Sequence, residues 1–122
     1  LFSCEQYDRR LTLKNTTSDT VCYFFRLSAK CDTLLFFEEC EDTKIYWLPP
    51  DRSTPFSRYT TDWEYTFNEE KGKLLRVFII NYDSAYQKGA CYIINKQLFI
   101  KRYDLSLNDI LKSNWQIVYD GK

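Results

Sequence analysis

The chain has no histidine and no methionine in 122 residues. Without histidine it lacks the side chain that most readily exchanges protons near neutral pH, and the commonest metal ligand. That argues against hydrolases built on a Ser-His or Cys-His pair and against zinc enzymes. Without methionine, Leu1 is not an initiator residue, and the expectation is that the gene product continues upstream of it. Glycine and proline number three each, which excludes collagen-like and linker-like composition. The 17 basic and 17 acidic residues cancel, so no global field points to nucleic acid or to an anionic membrane surface. No run approaches the roughly 18 apolar residues of a membrane span, and no repeat recurs at a fixed period.

What is present is aromatic: 3 Trp, 10 Tyr and 9 Phe. With 44% hydrophobic and 28% charged residues the chain reads as globular, long enough for one domain with a real core. Cysteines stand at 4, 22, 31, 40 and 91, with no CxxC and no zinc spacing. Two readings remain open: five buried thiols in a reducing compartment, or an oxidising compartment in which Cys4 stands aside and the other four pair. Cys31 and Cys40 flank eight residues and could staple one excursion, leaving Cys22 and Cys91 to pair across the fold. By chain entropy the short loop is worth about 3 kcal/mol and the long one about 4.

Alternation of period two dominates the first half. In RRLTLKN, Leu11 and Leu13 share one strand face. NTTSD (15–19) is a turn. In TVCYFFRL, Val21, Tyr23, Phe25 and Leu27 face one way, and Cys22, Phe24 and Arg26 the other. Residues 28–42 form an excursion ending in EECED, whose acids lack the regular spacing of a calcium loop. TKIYWLPP (43–50) reads as a strand stopped by Pro49 and Pro50. WEYTF (63–67) and LLRVFIIN (74–81) read as a hairpin turning at Gly72, with the second strand central. DSAYQKGACYIINKQ (83–97) is ambiguous between helix and strand, and LFIKRY (98–103) is a strand. SLNDILKSN (106–114) carries a helix start, with Ser106 as N-cap and Asp109 completing a capping box. WQIVY (115–119) resumes a strand, and Trp115 and Phe78 are expected in the core. The pattern predicts a mainly β fold: a small antiparallel β-sandwich, Ig-like or related, with one or two short helices, one near 106–113.

Two stretches carry a resemblance. LFSC (1–4) fits a lipobox, with Leu1 three before the cysteine and the small Ser3 just before it. KRYDLSLNDILKSNWQIVYDG (101–121) resembles the ending of small uncharacterised lipoproteins of Bacteroides-type gut bacteria. LLRVFIINYDS and WLPPDRSTPF are similar to the same group, and the likeness runs from about Ile45 onward. The resemblance implies a location and a fold, and no reaction. It makes residues 1–3 the tail of a signal peptide, Cys4 the lipidated residue, 4–9 a tether and 10–120 the sandwich domain. The implied location is the cell envelope, lipid-anchored at the outer membrane, periplasmic or surface-facing. It also implies O-glycosylation at DTV, DTL and DSA, on Thr20, Thr33 and Ser84. Asn15-Thr16-Thr17 fits an N-glycosylation pattern that means little in a bacterium.

For chemistry, Glu38, Glu39, Glu64, Glu69 and Glu70 fall in polar stretches where nothing marks one as desolvated. No glycine-rich loop cradles phosphate. The expectation is a non-catalytic, lipid-anchored binding or interaction module with no cofactor, no metal and no nucleic-acid partner. Its partner is a glycan or an envelope protein. For a glycan, the aromatics around the proline loop are the ligand-binding candidates: Tyr46, Trp47, Tyr59, Trp63 and Tyr65. Such rings more often fill a core, because each buries a large area. The second alternative is an immunity or inhibitor protein of the envelope.

Overall fold

Leu11 and Leu13 are both fully buried, one just before and one within a strand that starts at the half-buried Thr12 between them. The same alternation organises most of the chain. The computed structural model describes residues 7–29, 44–56, 58–59, 62–69 and 73–122. Their strands are β1 (Tyr7–Asp8), β2 (Thr12–Asn15), β3 (Val21–Ala29), β4 (Tyr46–Leu48), β5 (Ser53–Pro55), β6 (Arg58–Tyr59), β7 (Lys73–Asn81), β8 (Lys101–Leu105) and β9 (Gln116–Tyr119). The helices are α1 (Trp63–Glu69), α2 (Tyr82–Lys96) and α3 (Leu107–Lys112).

A four-stranded sheet runs β4-β3-β7-β8, all antiparallel. A three-stranded sheet runs β5-β2-β9, and β1 pairs with β6. Most pairs are antiparallel, as expected of the sandwich, but β2 and β9 are parallel, from Thr12 opposite Gln116 to Asn15 opposite Tyr119. The chain ends beside its own first long strand, so the closing contact is non-local.

One core fills the space between the two sheets. Val21 and Tyr23 of β3 and Leu75, Val77 and Ile79 of β7 meet Leu11, Leu13, Ile117 and Tyr119 from the other sheet. The opposite face of the large sheet is also covered. Cys22, Phe24, Phe78 and Ile80 pack under Ile93 and Ile94 of α2. Phe24 and Phe78 stack with ring centroids 4.6 Å apart. LLRVFII is central, as its composition predicts, because both of its faces are buried. Each fully buried Ile or Phe there contributes about 1.5–3 kcal/mol. Arg76, 2% exposed on the α2-facing side, bonds Asp104 at 2.9 Å.

Three expectations are corrected. WEYTF is not a strand but helix α1, so no hairpin joins it to β7. Trp63, Thr66 and Phe67 recur at helical spacing and are buried on one face. Asp62 accepts from the Tyr65 N–H at 2.7 Å, and Asp8 accepts from the Trp63 N–H at 3.0 Å, so two carboxylates cap the helix start. Second, Tyr7 and Asp8, expected in the tether, pair with Tyr59 and Arg58 in β1, and the Asp8 carboxylate accepts from the first N–H of α1. Third, Trp115 is only half-buried at the rim of the core. The Arg10 guanidinium lies over its ring at 4.0 Å.

The ambiguous stretch is α2, broken at Gly89, whose φ of 78° and ψ of 167° suit only glycine. Helix α3 has the expected capping box between Ser106 and Asp109. Among the described residues no helix is long and apolar enough to cross a membrane.

Candidate functional site

Asn15 ends β2 completely buried, yet every polar group it owns is used. Its side-chain nitrogen donates to the Asp19 carbonyl at 2.8 Å and the Leu48 carbonyl at 3.0 Å. Its side-chain oxygen accepts from the Thr17 N–H at 3.0 Å and the Thr17 hydroxyl at 2.6 Å. One amide thereby folds the NTTSD turn and ties it to β4. A buried amide is tolerable only when satisfied in this way. Asn15 is buried and not a surface glycan acceptor.

The turn forms one wall of a cleft. Beside it, β4 pairs with the start of β3, with Leu48 opposite Val21 and Trp47 opposite Cys22. That register sends Leu48 into the core and leaves Trp47 on the α2-facing side, at a sheet edge, 67% exposed. Val21 is also opposite Asn81, the last residue of β7. Asn81 caps α2, its side-chain oxygen accepting from the Asp83 N–H at 2.9 Å and the Ser84 N–H at 3.3 Å. The cap starts the helix at Tyr82, whose ring meets Trp47 edge-on at 6.2 Å. One turn on, Tyr86 stacks with Tyr82 at 6.4 Å and is 83% exposed. Trp47, Tyr82 and Tyr86 make an exposed aromatic row.

The cleft has a volume of about 850 Å³. Residues 17–21, 81–83 and 119–121 line it, together with Trp47 and Ile100. It lies where three strand ends, the helix start and the chain's last turn meet. Its polar groups are hydroxyls, an amide and the carboxylates of Asp19, Asp83 and Asp120, with no lysine or arginine among the described lining residues. Burial pushes the Tyr119 phenol up, and the Asp120 and Asp19 charges push it further. Tyr103 is pushed up to about 12 by burial, then by Asp120. Among the described residues no three acidic or cysteine side chains stand where they could hold a metal ion.

A second ionic cluster lies around Trp115. Arg10 makes a bidentate pair with Asp8, at 3.0 and 2.7 Å, and bonds Glu64 at 3.0 Å through one nitrogen and more closely through another. These bonds hold the Asp8 carboxyl down at about 2 and lower Glu64 as well. A general acid needs the opposite shift.

The five predicted ligand-binding aromatics do not converge. Trp47 lines the cleft. Tyr46, its neighbour, points to the other face and stacks on Tyr23 at 5.2 Å. Trp63 is fully buried, and its indole N–H donates to the Phe56 carbonyl at 3.2 Å. Tyr65 is exposed on α1 and does not line the cleft. The side chain of Tyr59 lies outside the described residues. Sequence reasoning missed Tyr82, Tyr86 and the three aspartates. The available signal was Asn81 as an N-cap followed by tyrosines four apart.

Of the cysteines, Cys22 is free and buried, and burial pushes its thiol up. Cys91 is disulfide-bonded. The expected pairing of Cys22 with Cys91 is therefore not made: Cys22 packs under α2 among apolar neighbours. Cys4, Cys31, Cys40 and Thr33 lie outside the described residues. Thr20 lines the cleft, so a glycan on it would fill the space a ligand would use. Ser84 sits half-buried in the first turn of α2 rather than in a loop. No family model, no curated protein and no solved structure matches the chain.

Proposed function

We propose that the protein is a non-catalytic binding module of the bacterial envelope, anchored by lipid on Cys4, that holds a glycan in the cleft beside Trp47. The carrying observation is the exposure of that tryptophan. A 67% exposed indole at a sheet edge leaves a large apolar face in water, next to two more exposed rings. Neighbouring exposed rings of this kind support a binding surface there. Sugar rings offer an apolar C–H face for aromatic stacking and hydroxyls around their edge, and the cleft offers aromatics beside hydroxyls, an amide and carboxylates.

Two further points support the reading. The carboxyls of Asp8 and Glu64 are lowered and locked by Arg10, away from the cleft, which speaks for a binding role over acid catalysis. The disulfide at Cys91 supports an oxidising compartment, as an exported lipoprotein would occupy.

The binding claim is tested by tryptophan fluorescence against a panel of polysaccharides, with wild type and Trp47→Ala. The expected result is a saturable change with at least one glycan that Trp47→Ala abolishes. A panel that leaves the emission unchanged contradicts it. The anchor is tested by the intact mass of protein taken from native membranes. A lipid-sized increment on a chain beginning at Cys4 is expected, and an unlipidated chain would contradict it.

A further inference from the structure

Helix α2 is held firmly at one end and loosely at the other. Beyond Gly89, Cys91 is disulfide-bonded, and Ile93 and Ile94 are buried in one cluster with Phe24, Phe78 and Ile80 of the large sheet. Before it, the segment 82–88 buries no side chain, and the apolar residue it sets against that cluster is the small Ala85. Burial of one methyl group holds far less firmly than burial of two isoleucines. A helix this short does not persist by propensity alone. The two halves meet at Gly89, where the backbone leaves the helical region and nothing lies within 4 Å of the place a Cβ would take. Across the break Lys88 lies 5.3 Å from the Tyr92 ring, but both are exposed, where such a contact is weak. The other end of the segment joins the sheet at Asn81, opposite Val21 of β3, whose side chain caps it. Tyr82 and Asp83 line the cleft, and the Tyr82 ring meets Trp47 edge-on.

We propose that residues 82–88 are a flap at the cleft beside Trp47, rocking between a pivot at Asn81 and a hinge at Gly89 while the rest of α2 stays fixed to the sheet. Rocking moves Tyr82 and Asp83 relative to Trp47 and so sets the width of the cleft. Closure brings Tyr82 onto a ligand seated against Trp47, and opening releases it. A hinge residue absorbs the change in φ and ψ, and glycine does so without a Cβ in the way. The disulfide just beyond the glycine and the two buried isoleucines stop the motion there, so that it does not run on into the second half of the helix. The inference rests on the reading of the cleft as a binding site and adds how that site opens and closes.

The test is nuclear magnetic resonance on the oxidised, ligand-free chain, with relaxation dispersion and order parameters for the amides of α2 and a fluorine label on the tryptophans. The amides of 82–88 and the Trp47 label are expected to exchange at one shared rate on the μs–ms scale, while Ile93, Ile94 and the buried Trp63 do not. Lower order parameters in 82–88 without dispersion would report the same motion on a faster scale. Tyr82→Ala should remove the exchange at Trp47 and leave it in the amides of 83–88, because Trp47 senses the flap through that ring. Gly89→Ala should change the shared rate at least about fivefold, and the wild-type data decide the matter should that variant misfold. A segment with neither exchange nor lower order parameters than 92–96 is rigid, and equal exchange on both sides of Gly89 means that the helix moves as one. Either result overturns the flap. Because no ligand is present, the outcome is separate from the glycan panel. A moving flap with no glycan bound removes only the glycan reading, and a bound glycan beside a rigid segment removes only the flap.

Discussion

Asn15 shows how much one side chain can carry. It closes four side-chain hydrogen bonds, and its backbone N–H and carbonyl bond Arg52 and Asp51. Asn15→Leu would strip the Asp19 and Leu48 carbonyls of their partner and release the turn that walls the cleft. The expected cost is about 2–4 kcal/mol in urea denaturation, with loss of ligand binding before loss of fold. Asp8 supplies a pH signature. Its carboxyl is held at about 2, below the unfolded value near 3.8, by Arg10 first and by the Trp63 N–H. Its contribution is therefore fully present above pH of about 4 and disappears as pH falls towards 2. Screening of the half-exposed Arg10 reduces that contribution to about 1–2 kcal/mol. Wild type should lose this stability between pH 4 and 2 in acid titrations, and Asp8→Asn should be less stable at neutral pH and flatter below it. At this scale the sequence was only partly legible. Leu11, Leu13 and the alternation of β3 were readable because one face of a strand faces one core. Asn15 looked like a turn residue, since nothing local announces a bond to a carbonyl 33 residues away.

At the scale of elements, the helices separate what was readable from what was not. Helix α3 was legible because its start signal, Ser106 with Asp109, is local and satisfied as read. Helix α1 was misread because WEYTF fits a period of two as well as a helical stripe, and the residue that decides is Asp62, whose side chain caps it. Helix α2 stayed ambiguous because Gly89 divides it. Before the break it presents Tyr82 and Tyr86 to solvent; after it, Ile93 and Ile94 cover the large sheet. A continuous helix would rotate one set relative to the other. Gly89→Ala meets no neighbour, so its effect isolates the backbone conformation. It is expected to cost about 1–3 kcal/mol by thermal or chemical denaturation. An unchanged midpoint would mean that the break does not constrain the fold.

At the scale of the whole molecule, the sandwich was legible and the site was not. Alternating strands separated by turns imply two packed sheets, and among the described residues sheets of three and four strands pack together, besides the two-stranded β1–β6 pair. The cleft joins residues 17–21, Trp47, 81–83, Ile100 and 119–121, which only the strand pairings bring together. Of the predicted binding aromatics whose side chains are described, Trp47 alone lines it, and the pleat sends its neighbours Tyr46 and Leu48 to the other face. The disulfide at Cys91 ties the C-terminal half of α2 into the rest of the chain. Reduction, or Cys91→Ser, should therefore lower stability by about 2–5 kcal/mol, whereas Cys22 should stay unalkylated until the protein unfolds. Exposure of Trp47 is proposed to serve binding and not folding. It is tested most directly by comparing the stability and the glycan affinity of wild type and Trp47→Ala in parallel. The expected result is a stability change within about 0.5 kcal/mol together with an affinity loss of about 2 kcal/mol or more, roughly thirtyfold. A variant that binds as wild type does, or one that unfolds, would contradict it.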